Sequence, residues 1–283
     1  MAELQTVHLG DVTLACAVEG EGAVVIAAHG FPDDATTFRA QVPALVRAGY
    51  RVVAPTMRGY APSGVAESGR YDLEALGGDL LGLAERFSPG APVRIVGHDW
   101  GALAGFAAAA LAPDRVCHLA ALAMPHPRVL LPALLSPAQL RRSWYTGLFQ
   151  LPRVAEARLL ADDLALVERL WRDWSPGYSV TPEELRAVKD GIRDRAGPVL
   201  AYYRALPGAM LGPLRRQVFA RTRVPTLRLH GIDDGCIGVK VGRGEERCYE
   251  RRFEAQQIPG AGHFLHRERP EAVNAALLSF LER

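Results

Sequence analysis

Metal-binding patterns are missing from this sequence, which is poor in cysteine. Four cysteines occur among 283 residues, and no two of them have the short spacing of zinc ligands. They are Cys16, Cys117, Cys236 and Cys248. Cysteines without such spacing are usually reduced inside cells, so we expect free, mostly buried thiols and no metal site.

Charge excess, long apolar runs and a leader pattern are also lacking. The formal net charge is only +2, from 33 basic and 31 acidic residues, which argues against nucleic acid or a membrane surface as a partner. The most apolar segment, residues 101–112, is too short to cross a bilayer and predicts a buried helix. Residues 1–10 do not resemble a signal peptide, so we expect a cytoplasmic protein.

Apolar runs that alternate with helical patterns make up the first half of the chain. Runs rich in Val and Ile predict buried strands, and the alternation predicts a mostly parallel sheet with helices on both faces. Residues 6–9 and 12–18 predict an antiparallel hairpin at its edge. The other predicted strands are residues 24–28, 51–54, 93–96 and 116–123, and the predicted helices are residues 37–48, 72–87 and 100–111.

Strand patterns vanish for about a hundred residues after Pro125. Two helix starts stand out in this stretch, Ser136 before a proline and Thr181 before a proline and two glutamates. Strands resume at residues 224–229 and 253–258, and residues 270–281 predict a final helix. We therefore predict an α/β core, residues 1–127 and 222–283, interrupted by a helical cap, residues 128–221.

The strongest local motif is Val-Gly-His-Asp-Trp-Gly at residues 96–101, where a predicted strand meets a helix. Gly97 and Gly101 would allow the sharp turn of a nucleophile elbow, which exposes the side chain of Asp99 above the sheet. A carboxylate there would attack a saturated carbon and form an alkyl ester. The alternative is that Asp99 only caps the following helix. A serine esterase is disfavoured because the chain contains no Gly-x-Ser-x-Gly motif.

Hydrolysis of such an ester needs a base, for which His263 in the loop at residues 259–264 is the candidate. The fold orders its triad as nucleophile, acid and histidine. The acid is then expected in the turn after the strand at residues 226–229, where Asp234 is our choice and Asp233 the open alternative. The turn after the strand at residues 116–123 contains no carboxylate.

A further turn, His-Gly-Phe-Pro at residues 29–32, follows another predicted strand. The backbone N–H groups of Phe31 and Trp100 are candidates for an oxyanion hole, which would stabilise charge on the ester when water adds. A cis peptide bond before the proline is plausible here. The neighbours predicted to line the substrate pocket are His29, Pro32 and His98.

With these elements in this order, nearly the whole chain resembles the α/β-hydrolase-fold epoxide hydrolases. That family has two cap tyrosines, one near each end of the cap. Tyr145, within Ser-Trp-Tyr-Thr-Gly-Leu-Phe-Gln-Leu-Pro, matches the first, and Tyr203, directly before an arginine, matches the second. Either could instead be an amphipathic surface tyrosine, and Tyr202 or Tyr178 could replace one of them in a shifted alignment.

The resemblance implies a mechanism that requires neither a metal nor an organic cofactor. Tyr145 and Tyr203 would donate hydrogen bonds to the oxygen of a small-molecule epoxide while Asp99 opens the ring. His263, oriented by Asp234, would then activate water against the ester and release a vicinal diol. The sequence leaves open whether the protein is a monomer or a homodimer.

Two departures from the family pattern and two rival functions accompany this interpretation. Thr56 stands where the family usually has Asp, and Ala61 where it has Gly, which suggests a divergent branch. The haloalkane dehalogenases resemble the chain almost as well, but typically have Asn at the position of Phe31 and have no use for paired cap tyrosines. A non-catalytic ligand-binding protein is disfavoured because nucleophile, base and acid are all present.

Overall fold

A mostly parallel sheet forms the centre of the computed structural model, which describes residues 3–134, 136–211 and 219–282. Within these residues eight strands pair in the order β1-β2-β4-β3-β5-β6-β7-β8. The strands are β1 (Glu3–His8), β2 (Thr13–Glu19), β3 (Ala23–Ala28), β4 (Tyr50–Pro55), β5 (Val93–His98), β6 (Val116–Leu122), β7 (Thr226–Gly231) and β8 (Phe253–Ile258). The predicted α/β fold class is confirmed.

Strand direction determines where the loops meet. β2 is antiparallel to β1 and β4, so the predicted edge hairpin is present, while β4, β3, β5, β6, β7 and β8 are parallel to one another. The carboxyl ends of parallel strands lie along one edge of a sheet. The turns after β3, β5, β7 and β8, which contain the predicted site residues, therefore meet at that edge.

Helices lie on both faces of the sheet and in the segment between β6 and β7. They are α1 (Gln41–Arg47), α2 (Leu73–Phe87), α3 (Trp100–Leu111), α4 (Pro127–Leu134), α5 (Pro137–Arg142), α6 (Trp144–Phe149), α7 (Val154–Trp174), α8 (Pro182–Arg193), α9 (Ala196–Leu211), α10 (Leu265–Glu268) and α11 (Pro270–Leu281). Along β3, Val24 and Ile26 join the apolar cluster that contains α2 and α3, whereas Val25 and Ala27 join the cluster with α1 and α11. This alternation is the pleat of a strand buried on both faces.

The prediction of one continuous helix over residues 37–48 is wrong. A short 3-10 turn, Ala35–Phe38, begins where Asp34 accepts a hydrogen bond from the Thr36 N–H, and the regular helix α1 begins only at Gln41. Pro43 explains the break, because a proline inside a helix has no N–H for the carbonyl four residues earlier and clashes with it. Starting at Gln41 puts Pro43 in the first turn, where proline is tolerated.

Between β6 and β7 the described residues contain helices and no strand. We call α4 to α9, residues 127–211, the helical insert. Both predicted helix starts are present: Ser136 accepts from the Gln139 N–H, and Thr181 forms a capping box with Glu184. The division into core and cap at residues 128 and 221 stays a prediction. None of the helices described is long and apolar enough to span a membrane.

Candidate active site

Asp99 occupies a tight turn between β5 and α3. Its backbone has φ 50° and ψ −116°, which is strained for a residue other than glycine. A Cβ on Gly97 would lie 2.4 Å from the Gly101 oxygen, and a Cβ on Gly101 would lie 2.0 Å from the Ala28 oxygen. Both glycines are therefore required by the close approach of strand and helix, and the turn has the geometry of an elbow.

The carboxylate of Asp99 is held between a backbone donor and an imidazole. The Phe31 N–H donates to Oδ1 at 2.9 Å, and Nε2 of His263 lies 3.7 Å from Oδ2. Burial raises the pKa of Asp99, but the hydrogen bonds and charge of His263 and the Phe31 N–H outweigh it and leave the pKa below its ordinary value. Asp99 is therefore an ionised group in a buried site.

His263 and Asp234 form the second contact of the site. His263 Nδ1 donates to Asp234 Oδ2 at 3.0 Å. The other oxygen, Oδ1, accepts from the N–H groups of Cys236 at 2.7 Å and Ile237 at 2.8 Å. Burial raises the pKa of Asp234, but His263 and His230 lower it well below its ordinary value. The competing carboxylate, Asp233, is exposed to solvent.

The electrostatics of His263 depend on both carboxylates. Burial acts to lower the pKa of this imidazole, but Asp234 and Asp99 raise it to about 10. With Asp99 ionised, His263 is therefore an imidazolium at neutral pH. Loss of the negative charge on Asp99 would lower the pKa of His263, since only one of the two carboxylates would remain.

The end of α7 forms hydrogen bonds with the two loops that contain His263 and Asp234. The Trp174 carbonyl accepts from the N–H of His263 at 3.0 Å and from the N–H of Gly235 at 3.0 Å. Next to it, Ser175 Oγ donates to Glu268 at 2.7 Å, and Glu268 accepts from the Gly262 N–H. No local sequence signal marked Trp174, Ser175 or Glu268, because these contacts join segments that are distant in the chain.

Tyr145 on α6 and Tyr203 on α9 pack edge to face, with ring centroids 5.8 Å apart, and both interact electrostatically with Asp99. Burial, with a further contribution from Asp99, raises the pKa of both phenols well above its ordinary value. Hydrogen bonding from the Trp100 and Tyr145 side chains opposes this effect at Tyr203. Both phenols therefore keep a proton to donate.

The alternative tyrosines point elsewhere. Tyr202 donates its hydroxyl proton to the Arg58 carbonyl at 2.7 Å. The Tyr178 hydroxyl contacts Glu184 at 3.1 Å. Each proton is thus used by a partner remote from Asp99.

Aromatic rings pack around Phe31, whose N–H contacts Asp99. Phe149, which the sequence did not single out, lies with its centroid 4.9 Å from Tyr203 and 5.7 Å from Phe31. The Trp174 ring lies 5.0 Å from Tyr145. All of these side chains are buried. A cavity of about 640 Å³ opens elsewhere, beside Arg128, Arg221, Arg247 and Cys248, and none of the site residues lines it.

Two of the residues predicted to line the pocket make hydrogen bonds that support the surrounding loops, and their place in the pocket stays a prediction. His29 accepts from the Met57 N–H at Nε2 and donates to the Gly30 carbonyl from Nδ1, so neither nitrogen is free for a substrate. His98 Nε2 donates to the His263 carbonyl at 3.0 Å and steadies that loop. Pro32 is buried after a cis peptide bond, and its place in the pocket stays a prediction.

The backbone N–H of Trp100, predicted for the oxyanion hole, lies at the first residue of α3. Backbone N–H groups at this position have no partner within the helix.

Among the residues described, no group of three or more His, Cys, Asp and Glu side chains could hold a metal ion. The arrangement can instead perform nucleophilic chemistry. It combines an ionised carboxylate, a histidine with its own acid, a backbone donor and two phenolic donors. The four cysteines are free, and all but Cys117 are buried.

Comparison with known proteins places the chain among hydrolases of this fold. A family model described as alpha/beta hydrolase fold matches residues 23–270. Epoxide hydrolase A of Mycobacterium tuberculosis is 33% identical over 91% of this chain and 90% of its own length. An AB hydrolase superfamily protein of Bacillus subtilis, YfhM, is 30% identical over 98% of this chain and 97% of its own.

Solved structures give the same result. The crystal structure of epoxide hydrolase A from Mycobacterium thermoresistibile superposes with a TM-score of 0.85 at 30% identity, covering 100% of this chain and 98% of the other. An epoxide hydrolase from Bacillus megaterium in complex with an inhibitor superposes with a TM-score of 0.87 at 25% identity, covering 99% and 100%.

Proposed function

The chain belongs to the α/β-hydrolase-fold epoxide hydrolases, and we propose that it converts an epoxide to a vicinal diol through an ester on Asp99. One observation supports this most strongly. An ionised, buried Asp99 lies between the Phe31 N–H and His263, and two protonated phenols, Tyr145 and Tyr203, interact with it electrostatically. A nucleophile and acidic donors in one buried site suit the opening of a strained ether.

In the first step Tyr145 and Tyr203 donate hydrogen bonds to the epoxide oxygen. Asp99 Oδ2 attacks a ring carbon from the opposite side, since Oδ1 is held by the Phe31 N–H. A carbon–oxygen bond forms to Asp99 while the ring bond breaks, and its electron pair passes to the oxygen, which takes a proton from a phenol. The product is a hydroxyalkyl ester, and the phenolate recovers its proton from water.

In the second step, ester formation makes His263 available as a base. Esterification removes the negative charge of Asp99, so the pKa of His263 falls and the imidazole can release its proton. Neutral His263, oriented by Asp234, then takes a proton from a water molecule that adds to the Asp99 carboxyl carbon. The N–H groups of Phe31 and Trp100 stabilise the resulting oxyanion. Collapse of this intermediate breaks the bond between the carboxyl carbon and the diol oxygen, and the departing alkoxide takes the proton from His263. The Asp99 carboxylic acid then returns its proton to His263, which restores the ionised pair.

Single turnover of styrene oxide in ¹⁸O-water tests this route. Because water attacks the carboxyl carbon, the label should enter Asp99, which lies in the tryptic peptide of residues 95–115, while the diol of the first turnover stays unlabelled. The Asp99→Asn variant is the control and should give neither label nor diol. Label in the diol but not in the peptide would contradict the ester. If no diol forms, halide release from 1-bromobutane tests the dehalogenase alternative.

The helical insert supplies both phenols, and we propose that it acts as the cap of the site. The aromatic rings around the site are buried, which fits a site that the insert encloses. The cytoplasmic location and the monomeric or homodimeric state stay predictions.

A further inference from the structure

Cys236 has no role in the proposed steps, yet it contacts two groups that do. Its Sγ lies 3.3 Å from the Tyr145 hydroxyl, and its N–H donates to Asp234 Oδ1 at 2.7 Å. The side chain is 1% exposed. A single residue therefore joins the acid of the triad to one of the two phenols.

Side chains of the helical insert form hydrogen bonds with the backbone of the loop at residues 234–238. Gln139 donates to the Cys236 carbonyl at 2.7 Å and accepts from the Gly238 N–H at 3.1 Å. Arg142 donates to the Asp234 carbonyl at 2.6 Å. Gln139, Arg142 and Tyr145 are spaced by three residues along α5 and α6, and all three side chains contact residues 234–238. The separation of thiol and phenol is thus set by backbone contacts on both sides.

The hydrogen bond between Cys236 and Tyr145 can run in two directions. If Tyr145 donates to sulfur, its only hydroxyl proton is used outside the reaction. If the thiol donates, the phenol oxygen accepts, and the phenolic proton is directed to Tyr203 in the resting enzyme and can turn to a substrate oxygen. Sulfur is a weak acceptor and the thiol a weak donor, but the Tyr145 proton has a second acceptor in the Tyr203 side chain, which leaves the Tyr145 oxygen to accept from the thiol. Burial and the charges of Asp234 and Asp99 raise the pKa of Cys236 well above its ordinary value, so the thiol keeps its proton.

We propose that Cys236 is a positioning residue for Tyr145: its S–H donates to the phenol oxygen and leaves the phenolic proton for the substrate oxygen. This inference rests on the proposed function. During ring opening negative charge moves onto the Tyr145 oxygen, and a donor already aimed at that oxygen stabilises it more in the transition state than in the resting enzyme.

The infrared S–H stretching band tests the direction of the hydrogen bond without any substrate. Cys236→Ser identifies the Cys236 band by its disappearance, since the other three cysteines are retained. If the thiol donates to Tyr145, Tyr145→Phe shifts this band to higher wavenumber because the acceptor is gone. A band that stays in place in Tyr145→Phe overturns the inference. This result does not depend on whether the protein hydrolyses epoxides.

A double-mutant cycle tests the kinetic consequence. Rapid quench of a single turnover of styrene oxide measures the rate constant of ester formation. Cys236→Ala should lower it roughly two- to tenfold, the usual effect of one lost hydrogen bond. Cys236→Ser, which keeps a donor, should restore most of it. In a Tyr145→Phe background Cys236→Ala should have no further effect.

An equal loss in both backgrounds would overturn the inference, because a structural effect of Cys236 does not require the Tyr145 hydroxyl. A wild-type protein that forms no ester would instead refute the proposed function. The two failures are therefore distinguishable.

Discussion

Replacing Asp99 by Asn should lower the pKa of His263, since it removes one of the two carboxylates that keep the ring protonated. In the wild-type protein burial acts to lower this pKa, but Asp234 and Asp99 raise it to about 10. The variant preserves the size of the side chain and an acceptor for the Phe31 N–H. It also has the neutral charge of the proposed ester, so it reports on the state that precedes hydrolysis.

The size of the expected pKa change follows from the distance between His263 and Asp99. His263 Nε2 lies 3.7 Å from Asp99 Oδ2. Two unit charges at that separation attract by about 4 kcal/mol with an effective dielectric constant of roughly 20. Losing that attraction weakens proton binding by about a thousandfold. The titration midpoint of His263 should therefore move from alkaline pH toward neutrality.

Nuclear magnetic resonance of protein with ¹⁵N-labelled histidine can follow this titration between pH 5 and 11. His263→Gln assigns the signal, and intact mass verifies that the amide of the variant persists. Asp233→Asn is the matched control, because this neighbour of Asp234 is exposed and should leave the midpoint unchanged. The reasoning is refuted if His263 titrates at the same pH in Asp99→Asn as in the wild type.

Asp234→Asn should let the Asp99 ester accumulate, with turnover reduced by roughly 10⁴, as for the acid of the serine protease triad. Mass spectrometry of quenched enzyme would detect the ester, and an empty enzyme at steady state would contradict this prediction. Tyr203→Phe should slow ester formation by roughly tenfold or more, which rapid quench would measure. Tyr202→Phe should leave ester formation near the wild-type rate but lower the free energy of unfolding by about 1 kcal/mol, which urea denaturation would measure. The pKa of His263 is raised on folding, so the stability it contributes is complete below pH 6.5 and is lost as pH rises toward about 10. Urea denaturation at pH 6 and 10 would show this loss as a steeper decline in the wild type than in His263→Gln.

The order of strands and helices could be predicted because it depends on local pattern. The helix at residues 100–111 and the strand at residues 253–258 are correct to the residue, since one is a continuous run of small apolar residues and the other is bounded by turns. The error over residues 37–48 has an equally local cause in Pro43. The roles of the site residues stay predictions, although the structure brings Asp99, His263 and Asp234 together.

By itself the sequence predicted the elbow turn and the chain order of the proposed triad. Gly97, Asp99 and Gly101 adjoin one another, and the strain of the turn and the close packing of its neighbours restrict each position directly. Only the tertiary structure decided between Asp233 and Asp234, because adjacent residues of one turn face opposite directions, one to solvent and one to His263.

The same applies to the phenols and to the loop that supports them. Tyr202 and Tyr203 are neighbours on one helix, and only packing against the core directs the Tyr202 hydroxyl to a backbone carbonyl and places the Tyr203 ring against Phe31 and Trp100. The contact between Cys236 and Tyr145 joins residues 91 positions apart. Such contacts have no local sequence pattern, since they arise only when the helical insert packs against the loops at the edge of the sheet.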